Sequence, residues 1–104
     1  MKVYNKLVRD RIPEIIGTAG KTCTTDILSQ EDYLHMLDAK LDEELSEYHK
    51  DQNIEELADL LEVIRAVAVA RGYTFEELEQ IRAEKAAKRG EFEKRILLKE
   101  VYED

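Results

Sequence analysis

The stretch IEELADLLEVIRAVAVA, residues 54–70, narrows most sharply what this chain can fold into. At about 100° per residue, Leu57, Leu60, Leu61, Ile64 and Ala68 form one helical stripe, while Glu56, Asp59, Val63, Val67 and Ala70 form a second row. A helix apolar on two sides belongs in an interior or at a subunit interface, so the pattern predicts helix packing completed by homo-oligomerisation. The second row is unusual because it begins with two acids. Solvent-facing carboxylates do not ordinarily continue into Val63, Val67 and Ala70, so this row is expected to carry Glu56 and Asp59 into a protected cleft.

The preceding helix supplies a matching pair. Leu34, Leu37, Leu41, Leu45 and Tyr48 make its apolar stripe; Glu44 lies on the flank of that stripe, Glu47 further round, and Glu43 nearly opposite, the member expected in solvent. Residues three apart on a helix are neighbours, so Glu44 with Glu47, and Glu56 with Asp59, can each direct two hard oxygen ligands at one point. Laid antiparallel, the two helices would form a magnesium site.

Helix boundaries follow from capping residues and glycines. Ser29 before Asp32, Asn53 before Glu56 and Thr74 before Glu77 predict helices running to about Lys50, Arg71 and Arg89, with Gly72 and Gly90 just beyond the last two. A shorter helix is expected over Arg9 to Ile16, with Pro13 in its first turn and Gly17 and Gly20 closing it. Residues 21–28, KTCTTDIL, are rich in β-branched side chains and are expected to be extended. The tail FEKRILLKEV reads as a short strand or a docking segment. Tyr33, Tyr48, Tyr73, Phe75 and Phe92 are expected to pack, and Cys23 to be a small, partly buried apolar residue.

At 104 residues the chain is expected to be a single domain, residues 1–104, with an all-α core that its 43% apolar content can fill only modestly. One proline and four glycines speak against a loop-rich all-β design. The absence of a long apolar run and the start MKVYNKLVRDR argue against a membrane span or a signal peptide, giving a cytoplasmic expectation and no membrane partner. The lone Cys23 fits a reducing compartment.

Charge is segregated. Residues 1–21 carry five basic and two acidic groups, residues 26–62 two basic and thirteen acidic, and residues 82–99 seven basic and three acidic. A net charge of −8 makes the chain a poor binder of nucleic-acid backbone, but acids that hold a metal between basic ends would suit a small polyanion. Clustering ionised carboxylates without compensation is costly, and a divalent cation removes that cost. Only oxygens are offered, with no Cys/His cluster, which favours magnesium or manganese over zinc.

The strings DEELSEY and EELADLLEVI resemble the paired EExxE and ExxD motifs of the MazG-like all-α nucleoside triphosphate pyrophosphohydrolases, a superfamily that includes phosphoribosyl-ATP pyrophosphohydrolase. YNKLVRDRIPEII and KRGEFEKRI resemble the house-cleaning branch of that superfamily, and the four motifs together cover nearly the whole chain. The resemblance implies an antiparallel helical bundle assembled as a homodimer or homotetramer. It also implies magnesium-dependent cleavage of a nucleoside triphosphate, including non-standard ones, between the α and β phosphates to give a monophosphate and pyrophosphate. Carried over onto this sequence, it places metal ligands at Glu44, Glu47, Glu56 and Asp59. Glu43 matches the first letter of EExxE, with three roles open to it: orienting water, holding a second metal, or facing solvent. Lys6, Arg9, Arg11, Lys85, Lys88, Arg89 and Arg95 are candidate phosphate contacts, and Asn5 a candidate hydrogen-bonding partner of the substrate.

Two features depart from the family pattern. Only eight residues separate Glu47 from Glu56, so the helices must turn tightly through Lys50 to Asn53, a length that still permits an antiparallel hairpin. Glu91 stands where many relatives of the KRG segment carry a second glycine. Two other functions compete with the first: phosphoribosyl-ATP hydrolysis in histidine biosynthesis, and a non-catalytic helical interaction module whose acidic face binds a basic partner.

Overall fold

Ser29, Asn53 and Thr74 each stand in extended backbone at a helix start, and each accepts the amide of the residue three positions on. Asp32 donates to Ser29 Oγ at 3.2 Å, Glu56 to Asn53 Oδ1 at 3.0 Å and Glu77 to Thr74 Oγ1 at 3.0 Å. These caps satisfy amides that no helical carbonyl can reach. In the computed structural model, which describes residues 1–103, they open α2 (Gln30–Asp51), α3 (Ile54–Ala70) and α4 (Phe75–Arg89), preceded by α1 (Ile12–Thr18). The fold is all-α; no strand occurs among the described residues.

Helix ends follow equally local chemistry. After α3, Gly72 takes φ +94, its N–H donates to Val69 O at 3.0 Å, and the N–H of Tyr73 donates to Ala68 O at 2.9 Å. That left-handed closure favours a residue without a Cβ. Between α2 and α3, Gln52 adopts φ 51 and its N–H donates to Tyr48 O at 2.7 Å, so Gln52 and Asn53 alone reverse the chain. The hairpin is antiparallel. Gln30 at the start of α2 donates to Ala70 O at the end of α3, 2.9 Å away, and Arg71 lies 3.9 Å from Asp38.

Because Glu56 and Asp59 meet Glu44 across this hairpin, their row on α3 faces α2, and Val63 follows on that row. Val63 and Leu37, which lies two turns before Glu44, are 9% and 4% exposed, and no other apolar side chain among the described residues is buried. The stripe of Leu57, Leu61 and Ile64 is exposed. Among the helices, α4 packs on α3 alone, where the Arg65 guanidinium lies 5.9 Å from the Phe75 ring. The molecule is accordingly long, 67 × 31 × 22 Å, with a radius of gyration of 18.6 Å. A compact chain of this length has a radius of about 13 Å. No described helix is long and apolar enough to cross a membrane.

Several expectations are corrected. Helix α1 starts at Ile12 rather than Arg9, because Arg9 to Ile12 forms a hydrogen-bonded turn, and it runs through Gly17. Gly20, at φ +80, supplies the left-handed end. Cys23 is exposed rather than partly buried, and residues 21–28 form neither helix nor strand. The tail 92–101 is also irregular, with Phe92, Ile96, Leu97, Leu98 and Val101 exposed, so neither a strand nor a docked segment forms within one chain. Tyr73 is exposed too; like Phe92 it lies beyond the helix faces that pack.

Candidate metal centre

Two turns from the buried Leu37, Glu44 projects from α2 toward Glu56 and Asp59 of α3. One carboxylate oxygen from each of the three lies within 4.8 Å of the others, and all three residues are half-buried. The pairing needs the two-residue turn: it sets α3 beside α2 so that acids a few residues either side of the reversal face one another. A second triplet overlaps the first, with Glu47, Asp51 and Glu56 also mutually within 4.8 Å. Glu56 belongs to both.

The four ligands expected from sequence therefore do not share a single focus. Glu44, Glu56 and Asp59 do; Glu47 is exposed and meets Glu56 together with Asp51. The reading of the sequence missed Asp51, although its place four residues after Glu47 on the same helical row is a usable signal. Partial desolvation, followed by the charges of Asp51, Asp59, Glu47 and Glu44, raises the Glu56 carboxyl above its ordinary range. Desolvation and the neighbouring anions both disfavour its ionised form.

Glu43 is not the free solvent acid its angular position suggested. Lys6 Nζ donates to Glu43 Oε1 at 3.3 Å and Lys40 Nζ to Glu43 Oε2 at 3.3 Å. Burial pushes its carboxyl up, but the hydrogen bonds and charges of the two lysines outweigh this and hold it below the ordinary value. Lys40 also lies 3.5 Å from Glu44 Oε1, with its side chain only 17% exposed. It was absent from the sequence-based candidates because a lysine one turn before an acid ordinarily makes a solvent-facing helix pair.

The N-terminal basic residues divide. Arg9 Nη2 donates to Asp59 Oδ1 at 2.7 Å, so Arg9 and Lys6 stand at the acidic site. Arg11 instead pairs with its neighbour Glu14 at 3.3 Å. Asn5 holds left-handed backbone, φ 46, at the bend before Lys6. Lys85 and Arg89 line an open groove at the end of α4 with Arg82, Glu91 and Phe92, and Lys88 lies on the same helix. As α4 makes no helix contact with α2, these residues are not assembled with the acids within one chain. Arg95 sits beyond α4 in a turn at φ 56, its N–H donating to Phe92 O at 3.3 Å.

The donors suit a hard cation. All are carboxylate oxygens and no His or Cys joins either triplet, so the cluster is compatible with coordinating a hard cation.

Comparison with known proteins adds one relative. Over 42 residues the chain is 55% identical to an uncharacterized protein of Mycolicibacterium smegmatis, a match covering 40% of this chain and 43% of that protein. The matched stretch thus spans less than half of that relative's length. No family model matches the chain. No solved structure matches it.

Proposed function

We propose that the chain is a magnesium-dependent nucleoside triphosphate pyrophosphohydrolase that works as a homo-oligomer. The reading rests on one observation: Glu44, Glu56 and Asp59 converge from two antiparallel helices, with Lys6 and Arg9 at the rim. The motif resemblance implies metal ligation at these three acids and also at Glu47, which lies outside this triplet.

Glu44, Glu56 and Asp59 would hold the ion, with Glu47 and Asp51 beside Glu56 positioned for a second. A bound magnesium supplies charge neutralisation along the polyphosphate and lowers the pKa of water used for attack. Arg9 offers a planar fork and Lys6 a compact charge for orienting phosphate oxygens in line with that attack. In the overall step, water oxygen bonds to one phosphorus, the bridging oxygen leaves with the other, and the released proton passes to solvent through the carboxylates. Glu43, held ionised by Lys6 and Lys40, is a poor proton acceptor; its role is to fix the two lysines.

Assembly is supported by what one chain leaves bare. With Leu37 and Val63 the only buried apolar side chains among the described residues and the stripe Leu57, Leu61 and Ile64 exposed, a second copy is the natural cover for α3. Completion by a second copy would also give α4 and its basic groove an acidic site to face.

The test is a panel of nucleoside triphosphates, including deoxy and damaged ones, together with phosphoribosyl-ATP, assayed for pyrophosphate with and without magnesium. Magnesium-dependent release from the triphosphates is expected, and preference for phosphoribosyl-ATP would move the chain to that reaction. Magnesium at about 100 times its Kd should also stabilise the fold by about 2.7 kcal/mol. No release from any substrate and no metal-linked stabilisation would leave the interaction-module reading in its place.

A further inference from the structure

The segment before α1 lies across both helices of the acidic hairpin. Lys6 reaches Glu43 on α2 at 3.3 Å and Arg9 reaches Asp59 on α3 at 2.7 Å. One short segment therefore sets one cation on each helix.

Arg9 therefore stands on one of the three acids that would hold metal. Its side chain is 59% exposed, with room to swing away from Asp59. A divalent cation at Asp59 would set two like charges beside it, and the favourable replacement partner for a guanidinium fork is phosphate. Lys6, tied to Glu43 one helix away, keeps the segment in reach while Arg9 moves.

Building on the metal-centre reading, we infer that Arg9 is a metal-gated phosphate ligand: it guards Asp59 until a divalent cation takes that carboxylate, then turns to the polyphosphate. Metal and polyphosphate consequently bind with positive coupling. By linkage, each raises the affinity of the other by the same factor.

The test measures Mn²⁺ binding by electron paramagnetic resonance for the wild type, Arg9→Ala and Arg9→Lys. Each is titrated alone and with inorganic tripolyphosphate, correcting for Mn²⁺ complexed by tripolyphosphate in buffer. Without tripolyphosphate, Arg9→Ala should bind Mn²⁺ about two- to fivefold more tightly, the range set by one exposed ion pair. With Mn²⁺ bound, the same variant should hold tripolyphosphate more weakly, and the enhancement of Mn²⁺ binding by tripolyphosphate should shrink toward none. Arg9→Lys, which keeps the charge but not the fork, should fall between. Tighter Mn²⁺ with unchanged tripolyphosphate affinity would make Arg9 a plain surface ion pair and overturn the proposal. Weaker tripolyphosphate with unchanged Mn²⁺ affinity would make it a simple phosphate contact, overturning the gating. A wild type that binds no Mn²⁺ would instead refute the metal centre itself, a result distinct from both.

Discussion

Replacing Leu37 with alanine tests whether the buried α2–α3 contact holds the acidic site together. Leu37 is 4% exposed and stands two turns before Glu44, on the same face. The substitution removes three carbons, about 2.4 kcal/mol of transfer free energy at roughly 0.8 per methylene. The neighbouring positions Leu34 and Leu41 are only half-buried, so the gap can partly close and the cavity contribution stays small. The loss should be about 2.5 kcal/mol, in the lower part of the roughly 2–5 range for Leu→Ala. For a domain near this size that corresponds to a fall in Tm of about 10–20 °C. Urea unfolding followed by far-UV circular dichroism should show a lower midpoint with an unchanged slope. Leu45→Ala supplies the contrast, because Leu45 is exposed in the single chain. Its cost should be small if the hairpin acts alone, and large and dependent on protein concentration if a second copy covers it. A loss below about 0.5 kcal/mol for Leu37→Ala, typical of surface sites, would refute the view that this contact fixes the hairpin.

Other perturbations reach the site directly. Glu44→Gln or Asp59→Asn should abolish turnover, beyond the roughly 10–100-fold losses typical of outer-shell changes, while the circular dichroism and oligomeric state stay unchanged; full retained activity would reject their assignment as ligands. Glu56 has a raised carboxyl pKa, so its favourable contribution to folding is present below its ordinary value and is lost as pH rises through the raised one. Metal-free Glu56→Gln should therefore melt higher than the wild type near neutrality, match it in acid, and lose most of its response to magnesium, all readable by differential scanning fluorimetry. Glu43 has the opposite sign: its lowered pKa stabilises above the ordinary value and that contribution disappears as pH falls through the folded one. Lys6→Ala with Lys40→Met should move the Glu43 titration upward in a carboxyl-carbon NMR experiment; an unmoved titration would show that the lysines do not hold it.

Much of the site was legible because helical geometry converts spacing into direction. Glu56 and Asp59 share a row at i and i+3, Ser29, Asn53 and Thr74 announce the helix starts, and the short Glu47-to-Glu56 interval admits only a tight reversal. These are interactions within a turn or two of chain, where the backbone leaves few alternatives. Lys40 and Asp51 escaped notice for the same reason: in one dimension each looks like an ordinary charged neighbour in a helix.

The chain alone determined that it would be helical, where its helices begin and which acids stand side by side, because capping and periodicity act over three or four residues. Only the tertiary structure decided that the stripe of Leu57, Leu61 and Ile64 is left exposed in one chain while the other row of α3 turns toward α2. Both rows satisfy the same periodicity, and the choice depends on how the Gln52–Asn53 reversal sets one helix axis against the other. It also decided that Arg9 meets Asp59 and Lys6 meets Glu43, contacts spanning 50 and 37 residues. The spacing of residues along the chain does not specify such contacts, because they depend on how distant segments settle around the hairpin.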